Sequence, residues 1–162
     1  MSNHFIKPIL YFIPLAILQF TVIPLISISN IVPNLVFVLI AFYTLRYGQF
    51  FGTILGFILG FLFDLISGGL LGAFMFSFTL SAFLVGYFYN ENKIEFNTTS
   101  FFFLLIVFIC GSVNSFVYSA ISNTNTNVGF FSLILEEGLL PGIYTALLGL
   151  PIVIIYFKKG MQ

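Results

Sequence analysis

"GQFFGTILGFILGFLFD", residues 48–64, sets Gly48, Gly52, Gly56 and Gly60 four residues apart and places Asp64 at the next step of the same spacing. Lipid gives helices little hydrophobic reason to associate, so membrane helices use small residues to bring backbones within reach of dispersion contacts. The row reads as such a helix-packing groove. Four residues advance a helix by about 400°, so the row drifts by about 40° per step. Gly56, Gly60 and Asp64 therefore share a face that Gly48 has left, and a groove that winds in this way meets more than one neighbour or a right-handed crossing. Asp64 falls near the outer end of its helix, where a charge costs less than the about 2.5 to 3.5 kcal/mol assigned to mid-bilayer. It is expected either to reach outer water or the Ser67-Gly68-Gly69 turn, or to touch a partner or solute.

The surrounding composition is that of an integral membrane protein. Of 162 residues, 60% are apolar and 6% charged, 24 are phenylalanine, and the mean hydropathy is +1.15. Five acidic and five basic residues are too few to coat a globule in water. The net charge of zero leaves no basic arm or acidic tail, so nucleic-acid binding is set aside. Cys110, the single cysteine, excludes an intrachain disulfide and a multi-cysteine metal cluster, and reads as a buried small hydrophobe. Lys7 followed by an apolar run imitates a secretory signal, but no small-x-small cleavage site follows, so the run is read as a first span that stays attached.

Crossing about 30 Å of hydrocarbon takes about 20 apolar residues. Six segments fit, at approximately 8–28, 31–46, 48–66, 70–89, 99–121 and 139–157. The breaks between them carry turn and cap signals: Ser29-Asn30, Arg46 to Gly48, Ser67 to Gly69, "NENKIEFN" (90–97) and "NTNTN" (123–127). Asn30 is the expected cap of the second segment, with Pro33 in its first turn; that segment is short and needs thinned bilayer or shielding by neighbours. When the sides are counted alternately, Lys7, Arg46, Lys93, Lys158 and Lys159 all fall together, and the opposite connections carry no Lys or Arg. The positive-inside rule then gives an N-in, C-in orientation. The expected fold is all-α, a single membrane domain over 1–162 with six transmembrane helices in a compact bundle.

Residues 128–138, "VGFFSLILEEG", are too short for a seventh span. Phe130, Phe131, Ile134 and Leu135 on one helical face, with Ser132 and Glu136 opposite, suit an outer interfacial helix; the other reading is an extension of the sixth span. Asn34, Gln19 and Asn114 are intramembrane polar groups able to bond between helices. No catalytic constellation is present: His4 is the only histidine, no phosphate loop, zinc spacing or nucleophile elbow occurs, and the glycine row lies inside a helix. No enzyme, cofactor or metal is expected.

Residues 32–88 (VPNLVFVLIAFYTLRYGQFFGTILGFILGFLFDLISGGLLGAFMFSFTLSAFLVGYF) resemble the rod shape-determining protein MreD family. Pro33, Asn34 and Leu35 stand at its span start, Gly56, Gly60 and Asp64 in its glycine-acid motif, and Gly72 at the start of the next helix. "LPGIYTALLGLP" (140–151) is similar to a second family pattern through Pro141 and Thr145. The chain departs at Asn34, where many relatives carry a charge. The resemblance implies a non-catalytic inner-membrane scaffold of the bacterial elongation machinery, partnered directly by MreC and indirectly by MreB, RodA and a class B penicillin-binding protein. It also implies a six-helix layout like the substrate-binding subunits of energy-coupling factor transporters. The rival expectation is accordingly a solute-binding subunit with polar groups such as Asn34, Asp64 and Asn114 lining an outward pocket. Pro33, Glu136 and Glu137 complete the candidate contacts.

Overall fold

In the computed structural model, which describes residues 2–27, 31–122 and 134–159, every residue from Val36 to Leu45 is buried. A helix apolar on all sides belongs in an interior. That helix, α3 (Leu35–Tyr47), is the central rod of the molecule. Around it stand α1 (Ser2–Thr21), α4 (Gln49–Ser67), α5 (Ala73–Gly86), α6 (Ile94–Thr99), α7 (Phe101–Ser122) and α8 (Leu140–Lys159), each in contact with α3. A short α2 (Ile23–Ile26) follows α1, a 3-10 turn (Glu91–Lys93) precedes α6, and a π-helical turn (Leu135–Leu139) leads into α8. The described residues are overwhelmingly helical.

Among the described residues two helices, α4 with 19 residues and α7 with 22, are each long and apolar enough to cross a membrane. A third crossing counts only if α5 and Glu91–Thr99 are taken together, and these meet at a bend of 86°. The sequence reading expects six spans, and two of the expected segments are shortened in the structure. The left-handed turn at Gly68 and Gly72 uses up the start of the expected segment 70–89, leaving α5 with 14 residues, and α3 keeps only 13. The short α3 is shielded by its neighbours.

The outer faces are as apolar as the core. Phe50, Phe57, Phe61 and Leu65 project from α4, and Phe101, Leu105 and Ile109 from α7, all at helical spacing and all exposed. Apolar stripes on this scale mark a surface that meets something other than water.

Three local expectations change. The cap of α3 is Asn34, not Asn30: Asn34 sits in the extended region with its side chain accepting from the Phe37 N–H at 3.0 Å. Pro33 thus precedes the helix instead of entering its first turn. Residues 94–97, expected in a polar connection, fall within α6, where Asn97 and Thr98 are buried and the Asn97 amide donates to the Phe88 carbonyl at 2.8 Å. Of the expected interfacial segment 128–138, residues 128–133 lie outside the described residues; residues 134–138 run without a break into α8.

Candidate functional site

Asp64 is 1% exposed, and its carboxylate is fully engaged by the next helix. Its Oδ2 accepts from the N–H groups of Gly72 and Met75, and its Oδ1 from that of Phe74, each at 3.0 Å. The second and third N–H groups of a helix are normally taken by the side chain of its cap residue. The cap of α5 is Gly72, which has no side chain, so Asp64 performs the task from the end of α4. The positive end of the α5 dipole and three charge-assisted bonds hold the carboxylate there. The Asp64 carboxylate is therefore turned to the start of α5 and not to outer water or the Ser67 to Gly69 turn.

The glycines divide by physical cause. A Cβ on Gly60 would lie 2.6 Å from the Met75 Cα, and one on Gly56 2.7 Å from the Phe78 carbonyl oxygen, so both pack against the backbone of α5. A Cβ on Gly52 would instead run into the side chain of Thr44 on α3. The row thus serves two neighbours, as its 40° drift dictates. Gly48 and Gly72 are not packing residues. Gly48 has φ +97° and meets only the Tyr89 ring at an ordinary 3.5 Å, while Gly72 has φ +99° and nothing within 4 Å. Both are glycine because the chain turns there through a region that side chains avoid.

With α4 and α5 locked together, the ends of six helices enclose a cavity of about 680 Å³. Gln19 of α1, Phe63 of α4 and Asn114 of α7 lie toward the C-terminal ends of their helices; Asn34 before α3, Phe74 of α5 and Pro141 of α8 lie at N-terminal ends. The helices consequently alternate in direction around it. Pro33, Asn34, Asn114, Glu136 and Glu137 all line this cavity, whereas Asp64 does not.

The cavity floor is braced by a polar network. Gln19 donates to the Pro33 carbonyl at 2.7 Å and accepts from the Leu35 N–H at 2.9 Å, tying α1 to the start of α3. The Asn34 N–H donates to the Thr145 hydroxyl at 3.0 Å, which donates in turn to the Pro141 carbonyl at 2.7 Å. Tyr144 reaches the Ile26 carbonyl at 2.6 Å. On the α7 wall the Ser119 hydroxyl is hydrogen-bonded to Glu137 Oε2, and Tyr118 stacks on Phe74 with ring centroids 4.0 Å apart. Asn114 is 2% exposed, and its Oδ1 has no partner among the described residues.

Ser115, Tyr118 and Ser119 of α7 also line the cavity, and none of them is among the candidate contacts drawn from the sequence. The signal is nonetheless present, since Gly111, Asn114, Ser115 and Tyr118 stand at i, i+3, i+4 and i+7 of an otherwise apolar helix and so share one face.

The family profile described as rod shape-determining protein MreD matches residues 2–159, nearly the whole chain. The chain belongs to the MreD family. Its members are rod shape-determining membrane proteins, and the apolar helices and outer faces described above fit that setting. Against the curated proteins and against the solved structures, the chain finds no match. The MreD match joins stretches that the fold brings together, because the segments around Asn34 and around Thr145 meet through one hydrogen bond.

Proposed function

We propose that this chain is a multi-pass scaffold of the bacterial inner membrane, with six crossings and both termini inside, that supports rod shape and lateral peptidoglycan synthesis by seating MreC in the cavity among its outer helix ends. Through MreC it would act on MreB, RodA and a class B penicillin-binding protein, performing no chemistry itself. The observation that carries this reading is the cavity, built at the helix ends opposite every Lys and Arg of the chain. The positive-inside rule puts such an opening on the outer side, where a membrane-anchored partner with an external domain is in reach.

The alternation of six helix directions around the cavity supports the crossing number: α3 and α5 are short but flanked by longer neighbours that shield their ends from lipid. The rival solute-binding reading has the same cavity but nothing in the family match to support it. The test is co-purification in mild detergent of wild type and of Ser115→Trp, which fills the cavity from a half-buried position. MreC should be retained by the first and lost by the second, with rod cells widening or rounding in the second. Failure of the wild type to retain MreC, with cell width unchanged on deletion, ends the proposal; a vitamin-sized molecule found in the purified protein by mass spectrometry would move the assignment to the rival.

A further inference from the structure

The helix ends opposite the cavity are tied together at one level. Phe5 near the start of α1 stacks on Phe51 of α4 with ring centroids 4.2 Å apart, and Tyr47 at the end of α3 meets the same ring at 5.0 Å. The Gln49 amide donates to the Phe83 carbonyl at 3.0 Å and Gly48 packs on the Tyr89 ring, which joins the α3–α4 turn to the end of α5. Asn97, bonded to the Phe88 carbonyl, adds α6, and Phe96, 6.1 Å from Phe102 between ring centroids, adds the start of α7.

Three cations of the chain stand on this frame. Lys7 is two residues from Phe5, Arg46 adjoins Tyr47, and Lys93 comes three residues before Phe96; all three are exposed. Among the described residues none of them forms an ion pair. Only two carboxylates, Glu91 and Glu95, share this end, and Glu91 lies beside the Tyr89 hydroxyl. Lys158 and Lys159 close α8 here as well, so positive charge is in excess.

The same level carries exposed rings. Glu91–Thr99 meets α5 at 86°, and α5 packs along the crossing helix α4, so α6 runs in the plane of the membrane where α5 leaves it. Its polar Asn97 and Thr98 are buried while Phe96 is 56% exposed, flanked by Tyr87 at 68% and Phe101 at 77%. Rings that point outward beside buried polar groups suit the headgroup layer of a bilayer and not bulk water. The cations therefore stand at the depth of lipid phosphates.

We infer that this end of the molecule binds anionic phospholipid headgroups, whose phosphates pair with Lys7, Arg46 and Lys93 around α6. Charge complementarity selects the headgroup, and the exposed rings hold the acyl chains beside it. The inference needs only the membrane setting. It does not depend on the seat for MreC, which lies at the opposite end, so either can fail alone.

The experiment is native mass spectrometry of the full chain released from neutral detergent micelles that contain phosphatidylglycerol and phosphatidylcholine in equal amounts and with the same acyl chains. Wild type should retain phosphatidylglycerol preferentially, and raised salt should weaken that preference. Lys7→Gln, Arg46→Gln and Lys93→Gln should each cut it by up to about fivefold, the partition of one basic residue near an anionic surface. Arg46→Lys, which keeps the charge, should preserve it, and the triple glutamine variant should bind the two lipids nearly alike. All three positions are exposed, so the variants fold. Equal retention of both lipids by wild type, or a triple variant with the wild-type preference, overturns the inference. Loss of the preference in Lys158→Gln/Lys159→Gln but not in the triple variant overturns the assignment to these three residues.

Discussion

The backbone N–H of Asn34 donates to the hydroxyl of Thr145 at 3.0 Å, joining residues 111 apart in the chain at the floor of the cavity. Both residues are buried, with Thr145 1% exposed. The bond fixes the start of the central helix α3 against α8, and the Thr145 hydroxyl, which also donates to Pro141, serves both helices at once.

Thr145→Val removes that acceptor while keeping the shape, leaving a buried N–H unpaired at a cost of about 1–3 kcal/mol. Thr145→Ser should be close to neutral, and Asn34→Ala should cost about 1 kcal/mol through the lost cap on Phe37. Thermal unfolding in detergent gives the order; a Thr145→Val protein as stable as wild type would remove the tie from the list of stabilising contacts.

Asp64→Ala strands three helix N–H groups and should destabilise by about 3 kcal/mol or more. Asp64→Asn has one acceptor oxygen and no charge, so it should fall between alanine and wild type. Hydrogen exchange at Phe74 and Met75 reads the effect locally, with faster exchange there than at α7. Unchanged protection in Asp64→Ala would show that the cap is not needed.

Gly60 and Gly52 predict opposite rescue behaviour. Gly52→Ala collides with a side chain, so Thr44→Ala in the same protein should restore most of the lost stability. Gly60→Ala meets the α5 backbone at Met75, which no side-chain substitution can move. Overpacking of this kind costs about 1–3 kcal/mol. Folded yield by size-exclusion chromatography separates the cases, and rescue of Gly60→Ala by trimming Met75 to Ala would contradict the assignment.

A reporter fused after Gln162 should be active in the cytoplasm, and one inserted after Ser67 in the periplasm, because every Lys and Arg lies on the same side of the alternating helices. Periplasmic activity at Gln162 would invert the topology and place the cavity on the wrong side for MreC.

The sequence by itself determined the membrane setting, the helical class, the close packing at Gly52, Gly56 and Gly60 and a few of the residues around the cavity, for reasons that are local or compositional. Apolar content with so few charges admits a membrane protein, and a four-residue glycine row has its drift set by the geometry of one helix. Pro33, Asn34, Asn114, Glu136 and Glu137 stand out as polar or special residues in apolar surroundings before any fold is known. Only the tertiary structure decided that Asp64 caps α5 instead of facing outward, that Gly48 and Gly72 serve turns, that Asn34 meets Thr145, and that the short α3 is the centre. Each of these depends on which helix end lies beside which, and hydrogen-bond partners eight to 111 residues away leave no periodic trace in the chain. Burial on all sides likewise looks the same, in sequence, as exposure to lipid, since both environments select the same side chains.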